Sequence, residues 1–240
     1  DGAYIQCLRA GVVPDYVVTL DPHPHRVIRW FGDPEFEHNG NANAYFSRQD
    51  LDIAFRENQA AQNAENITLV DRYRIPLIIS STVASNVALR TDLHQRYWFC
   101  PLVDDPEKSE GLTRRMMQAT GLPAMNTGGT VGSAAWIFAH SILKSQDIAV
   151  VGFDYSYYDD LPLEQTQEWE IVKDEPNAAD LFPFMDTPYG RCRTSPTYFW
   201  YAQNLFGLLS SNNATITNCS EHGIIHGPHI KLERLERWLS

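Results

Sequence analysis

Short apolar, β-branched runs alternate with longer stretches of mixed character along the 240 residues. The runs at 16–20, 77–80, 97–100, 148–151 and 214–217 lack the polar alternation of a half-solvated strand, so they predict strands buried on both faces of a parallel sheet. Between them the pattern predicts helices over 2–10, 50–63, 82–95, 109–120, 129–144, 196–209 and 231–239, the first and fourth stopped by Gly11 and Gly121. Strand–helix alternation of this kind implies an α/β fold with a mainly parallel sheet and flanking helices, read as a single domain over 1–240. Ligands of such sheets collect beyond the carboxyl ends of the strands, which directs attention to the residues after Leu20, Ser80, Cys100, Val151 and Thr217.

Two stretches break the alternation. Residues 33–47 are rich in Asn, Gly and aromatic side chains and read as a long surface loop. Residues 155–194 hold four prolines and many aromatics, and read as a packed, ordered insertion rather than a disordered one.

Composition places the chain among ordinary globular proteins, with 43% hydrophobic and 20% charged residues. The uncharged stretches 116–143 and 194–220 are interrupted by proline, glycine and polar residues, so no membrane span is expected. Four cysteines without a Cys-x-x-Cys pair exclude a zinc ribbon or a dithiol site and suit a reducing compartment, and with no signal peptide visible a cytoplasmic location is expected. The net charge of −11 argues against an extended nucleic-acid groove. That charge is local: ten acids and one base lie within 154–186, leaving 18 bases against 20 acids elsewhere. A near-neutral body whose bases are 15 Arg and 4 Lys is compatible with a small phosphate-bearing ligand.

The most informative stretch is Asn126-Thr127-Gly128-Gly129-Thr130-Val131-Gly132-Ser133, which leads into an apolar helix. A Gly-Gly turn opening a helix offers backbone N–H groups to a phosphate, a carboxylate or a sugar, although tight helix packing asks for the same glycines. It is neither a Walker A loop nor a Gly-x-Gly-x-x-Gly turn. Asp21 and Asp154 follow strands and suit a metal, a ribose hydroxyl or substrate orientation, with helix capping as the alternative. The histidines 23, 25, 222, 226 and 229 invite a metal reading, but Gly223, Gly227 and Pro228 forbid the helical His-x-x-x-His geometry that would support it, whereas His222 or His226, just past the last strand, suits a substrate contact or acid–base role. His140 reads as a packed helix histidine. Arg191 and Arg193, just before a helix, form a candidate clamp for phosphate or carboxylate, unless they serve only to neutralise the acidic insertion. No nucleophilic triad motif is present.

Three stretches together resemble the 6-hydroxymethylpterin diphosphokinase MptE-like domain family, which includes the central domain of motility-accessory-factor flagellin glycosyltransferases. They are 10–22, with Val17-Val18-Thr19-Leu20-Asp21-Pro22; then 126–132 running on to Val151-Gly152-Phe153-Asp154; and last Thr217-Asn218-Cys219-Ser220-Glu221-His222-Gly223. The resemblance implies a Rossmann-like domain that binds a nucleotide donor, with Asp21 and the loop of Asn126, Thr127, Gly128, Gly129 and Gly132 facing it, and Asn218 nearby. It also implies a strand and a Gly-x-Gly-Pro-Ser-type turn ahead of the first residue given. The same order of motifs is similar to bacterial sialyltransferases that use CMP-activated sugars, in which a tyrosine after the Gly-x-Asp contacts the donor phosphate; Tyr155 or Tyr157 corresponds to it. Those relatives carry a histidine base in the insertion, and 155–194 has none.

The sequence therefore leads to a nucleotide-dependent transferase. Phosphoryl or diphosphoryl transfer to a small hydroxymethyl or alcohol acceptor is placed first, with Mg²⁺ on Asp21 and Arg191 and Arg193 neutralising charge. Glycosyl transfer from a CMP-activated nonulosonic acid to a small-molecule or glycan acceptor comes second, with Asp154 or His222 as base. A non-catalytic nucleotide-binding or scaffold module is the third reading. On the first two, Gly129→Val removes nucleotide binding and leaves the fold intact.

Overall fold

A computed structural model describes residues 1–36, 58–166 and 168–240, arranged as two compact units, Asp1–Thr127 and Gly128–Ser240. The chain is Rossmann-like α/β, with parallel sheets, flanking helices and an inserted segment. Most of the 33–47 loop, and the start of the helix expected from residue 50, lie outside the described residues. Among the described residues no helix is long and apolar enough to cross a membrane.

The first unit holds a four-stranded parallel sheet in which β1 (Val17–Thr19), β2 (Leu77–Ser80), β3 (Arg96–Pro101) and β4 (Ala124–Met125) lie in chain order. Val17 pairs with Leu77, Ile78 with Tyr97 and Cys100 with Ala124. Leu77, Ile78 and Ile79 are all buried, as a strand covered on both faces requires. One face packs against Tyr4, Ile5 and Leu8 of α1 (Tyr4–Arg9), Val27, Ile28 and Trp30 of α2 (Val27–Trp30), and Val70 of α3 (Gln59–Tyr73). Val87 of α4 (Ser85–Arg90) joins this core.

Helix α3 runs ten residues past its expected end at Asn63, and its buried face explains why. Gln59, Asn63, Asn66 and Val70 lie inside at helical spacing, so the stripe is mostly amide rather than apolar. Asn63 accepts from the Asp33 N–H at 2.7 Å and donates to the Asp33 carbonyl at 2.8 Å, while Asn66 donates to the carbonyls of Ile28 and Arg29. These amides satisfy the chain leaving α2, a need that a hydrophobic period does not register. The helix expected over 109–120 is α5 (Leu112–Thr120), closed by Gly121 in the left-handed region.

The second unit has a three-stranded parallel sheet ordered β10 (Ile230–Leu232), β9 (Ile216–Asn218), β5 (Ala149–Val150). The helix expected over 231–239 is corrected here. Ile230, Lys231 and Leu232 pair with Ile216, Thr217 and Asn218, because this edge of β9 needs backbone partners, and only α9 (Leu235–Trp238) is helical. Helix α6 (Val131–Ile137) passes into a π-helical turn over Phe138–Ile142, where His140 stacks flat on Trp136 with centroids 5.0 Å apart. Among its described residues the insertion carries secondary structure. It forms an antiparallel sheet, β6 (Tyr157–Tyr158), β8 (Gly190–Arg193) and β7 (Phe184–Thr187) in that order, with α7 (Trp169–Val172) between its strands. Helix α8 (Pro196–Ser211) comes next, with Pro196 at its first position and Ser195 accepting from the Tyr198 N–H as cap.

Candidate functional site

The parallel pairing of β5 and β9 puts their carboxyl ends on one edge of the second unit, so the chain after each strand arrives at the same place. From β5 comes Val151-Gly152-Phe153-Asp154-Tyr155-Ser156, and from β9 comes Cys219-Ser220-Glu221-His222-Gly223. Hydrogen bonds join these segments. The Phe153 N–H donates to Ser220 Oγ at 3.0 Å, and the Ile224 N–H donates to the Asp154 carbonyl at 2.9 Å. Gly223 (φ +92°) is required here, since a Cβ at this position would fall 2.2 Å from that same carbonyl oxygen.

The closure brings Asp154, Ser156 and His222 into one cluster. Ser156 Oγ lies 3.4 Å from His222 Nδ1, and the Tyr158 ring packs on the imidazole at 4.2 Å between centroids. Asp154 Oδ1 and His222 Nε2 are both buried, without a hydrogen-bond partner among the described residues. Burial pushes the Asp154 carboxyl above the ordinary carboxylate value, and the nearby His222 pulls it partly back. Cys192 lies on the Tyr158 side of the sheet and bonds Ser156, but burial pushes its thiol up, so it is a packing group rather than a nucleophile.

Beside this cluster stands the glycine turn. Gly128 and Gly129 have φ of +58° and +83°. A Cβ on Gly128 would meet Leu208 and Ser133, one on Gly129 would meet the Trp200 ring at 2.8 Å, and one on Gly132 would meet the Phe153 ring. All three glycines thus have a packing reason. Gly129→Val therefore carries a stability cost of its own, from the Trp200 ring and from a backbone conformation that disfavours a β-branched residue. Thr130 caps α6, its Oγ1 accepting from the Ser133 N–H at 3.0 Å and lying 3.1 Å from the Tyr155 hydroxyl. The N–H groups of Val131 and Gly132, in the first turn, have no acceptor within the helix.

The two candidate tyrosines separate. Tyr155, itself at φ +46°, points its hydroxyl at the start of α6 and packs beside Phe153, Tyr198 and Tyr201. Tyr157 is buried against Phe182 and Tyr198 as part of the aromatic core under the insertion. Asn218 is wholly buried, its Nδ2 donating to the Ile225 carbonyl and its Oδ1 accepting from the Ser220 N–H, so it braces the turn that carries His222. Arg191 and Arg193 alternate with Cys192 along β8 and therefore project from the opposite face of the sheet, over Phe184.

In the first unit, Asp21 follows β1 as expected. Its Oδ1 accepts from the His23 N–H at 2.8 Å and its Oδ2 lies 3.4 Å from Arg26 Nε. Both oxygens are occupied, and among the described residues no three His, Cys, Asp or Glu side chains converge as a metal group would need. Asp21 thus shapes its own turn and pairs with Arg26. Asn126 is exposed and Thr127 buried at the end of this unit. Sequence reasoning missed Ser156, whose only signal is its place two residues past Asp154, and Trp200, which looked like any aromatic on a helix. The chain matches no family model, no curated protein and no solved structure, so the likeness to the MptE-like domain rests on the motifs themselves.

Proposed function

We propose that the chain is a nucleotide-dependent transferase in which Asp154 and His222 take the proton of an acceptor hydroxyl. Glycosyl transfer from a CMP-activated nonulosonic acid is the reading the geometry supports best. The observation that carries it is the pair of buried, unpartnered atoms Asp154 Oδ1 and His222 Nε2 in one cluster at the carboxyl ends of two parallel strands. Buried polar atoms are nearly always satisfied, so two orphans in one cluster suit a substrate that completes them. A carboxyl held above its usual value and an imidazole are also the groups that general acid–base chemistry uses near neutral pH.

The reaction balances without a metal ion. The acceptor oxygen forms a bond to the anomeric carbon as its proton passes to the Asp154–His222 pair. The bond from that carbon to the CMP phosphate oxygen breaks, and CMP leaves with the electron pair. The first-turn N–H groups of α6 and the Tyr155 hydroxyl, both hydrogen-bond donors, suit the departing phosphate. The diphosphoryl-transfer reading comes second: it would place Mg²⁺ on Asp21, where the Arg26 guanidinium competes for the same carboxylate.

Thermal-shift measurements with CMP, CDP, ATP and GTP, each with and without Mg²⁺, test this. Stabilisation by CMP without metal is the expected result. Stabilisation by ATP only with Mg²⁺ would replace it with diphosphoryl transfer, and no response to any nucleotide would overturn both.

A further inference from the structure

The antiparallel sheet of the insertion carries an arrangement that the transfer chemistry does not use. Arg191 and Arg193 stand two residues apart on β8 and share a face. Their guanidinium carbons lie 3.9 and 4.3 Å from the centroid of one ring, that of Phe184, which sits directly opposite Arg193 in the register. Two like charges are thereby held on one apolar surface.

Neutralising the acidic insertion is the plain alternative for such a pair, and the geometry speaks against it. Ten acids lie within 154–186, yet among the described residues neither guanidinium forms an ion pair. Asp186 faces Arg191 across the ladder and still makes none. Arg193 is further committed: its Nη1 donates to the Leu161 carbonyl at 3.4 Å, while its Nε is buried with no acceptor among the described residues. A buried charged donor without an acceptor is costly, and two cations on one ring repel, so an anion would relieve both costs.

We propose that Arg191, Arg193 and Phe184 form an anion clamp for the oxo-anion of a small molecule, a carboxylate or a phosphate monoester. The ring orients the guanidinium planes, and the Nε–H of Arg193 together with the N–H groups of Arg191 supply the donors that such planar or tetrahedral groups accept. Because Cys192 points to the Ser156 and His222 side while its neighbours point away, the clamp is separate from the Asp154–His222 cluster and does not rest on the transfer reading.

Arginine Nε–Hε resonances of the full chain read the clamp directly, with the Arg193 signal identified by its loss in Arg193→Lys. Sodium phosphate, sodium acetate and sodium chloride are titrated at constant ionic strength. A saturable shift of the Arg193 signal with phosphate or acetate, absent with chloride, is the expected outcome, and the stronger of the two arms names the anion. Arg191→Ala, at an exposed position with little to unfold, is expected to weaken that binding at least tenfold while the circular dichroism stays native. A response equal to that of chloride, or one unchanged in folded Arg191→Ala, would overturn the clamp.

Discussion

Asp154 shows at a single residue how stability and chemistry oppose each other. Its folded-state carboxyl is raised, first by burial, so whatever stability it lends is present below the ordinary carboxylate value and lost as pH rises through the raised one. At neutral pH the ionised group is a liability to the fold. Asp154→Asn is therefore expected to raise Tm at pH 7, with little effect near pH 3, while transfer falls by about a hundred- to ten-thousand-fold if this carboxyl handles the acceptor proton. Melting curves at the two pH values, together with product formation, check both halves; a lower Tm at pH 7 would refute the first. Gly129 makes the complementary case. A Cβ there meets the Trp200 ring and must tolerate φ +83°, so Gly129→Ala is expected to cost about 1–3 kcal/mol in denaturant unfolding. Adding Trp200→Ala should recover the part due to the contact and leave the part due to the backbone.

Elements behave differently from their residue averages when the buried stripe is polar. Helix α3 is held by amides that close the chain after α2, and Asn63 alone satisfies both backbone groups of Asp33. Asn63→Leu keeps the volume and removes both bonds, so it is expected to destabilise by about 1–3 kcal/mol for each group left unsatisfied. Urea titration measures this, and a change below about 0.5 kcal/mol would mean that water replaces the amide. The strand at Ile230–Leu232 carries the same lesson in reverse. A charged stretch with helical spacing was drawn into the sheet because β9 had an open edge, a fact about β9 rather than about residues 230–232.

Across the whole molecule, stability against pH is shaped by groups far from the proposed chemistry. His94 is buried with Nδ1 on the Ile75 carbonyl at 2.9 Å, and burial lowers its pKa below the ordinary 6.5 despite that bond. The sign follows from its neutral folded form: its contribution is fully present above pH 6.5 and is lost as pH falls from there through the lowered folded value. His94→Asn keeps a donor for Ile75 and cannot gain a proton, so its loss of Tm between pH 7 and pH 5 should be smaller than that of the native chain. An unchanged slope would assign acid sensitivity elsewhere.

The periodic pattern of apolar residues was enough to determine the α/β class and the positions of β1, β2, β3, β5 and β9, because strands buried on both faces must be continuously apolar. It was also enough to single out Asp154 and His222 in the segments just past β5 and β9. Only the tertiary structure decided which of the candidates meet. Asp154, Ser156 and His222 converge because Gly223 lets one turn close on the other, whereas Asn218 and Tyr157 are spent on bracing and packing, and Asp21 on its own turn. The arginines moved to the far face of a hairpin for an equally physical reason. Side chains alternate along a strand, and only the pairing of β8 with β6 and β7 sets which face is which.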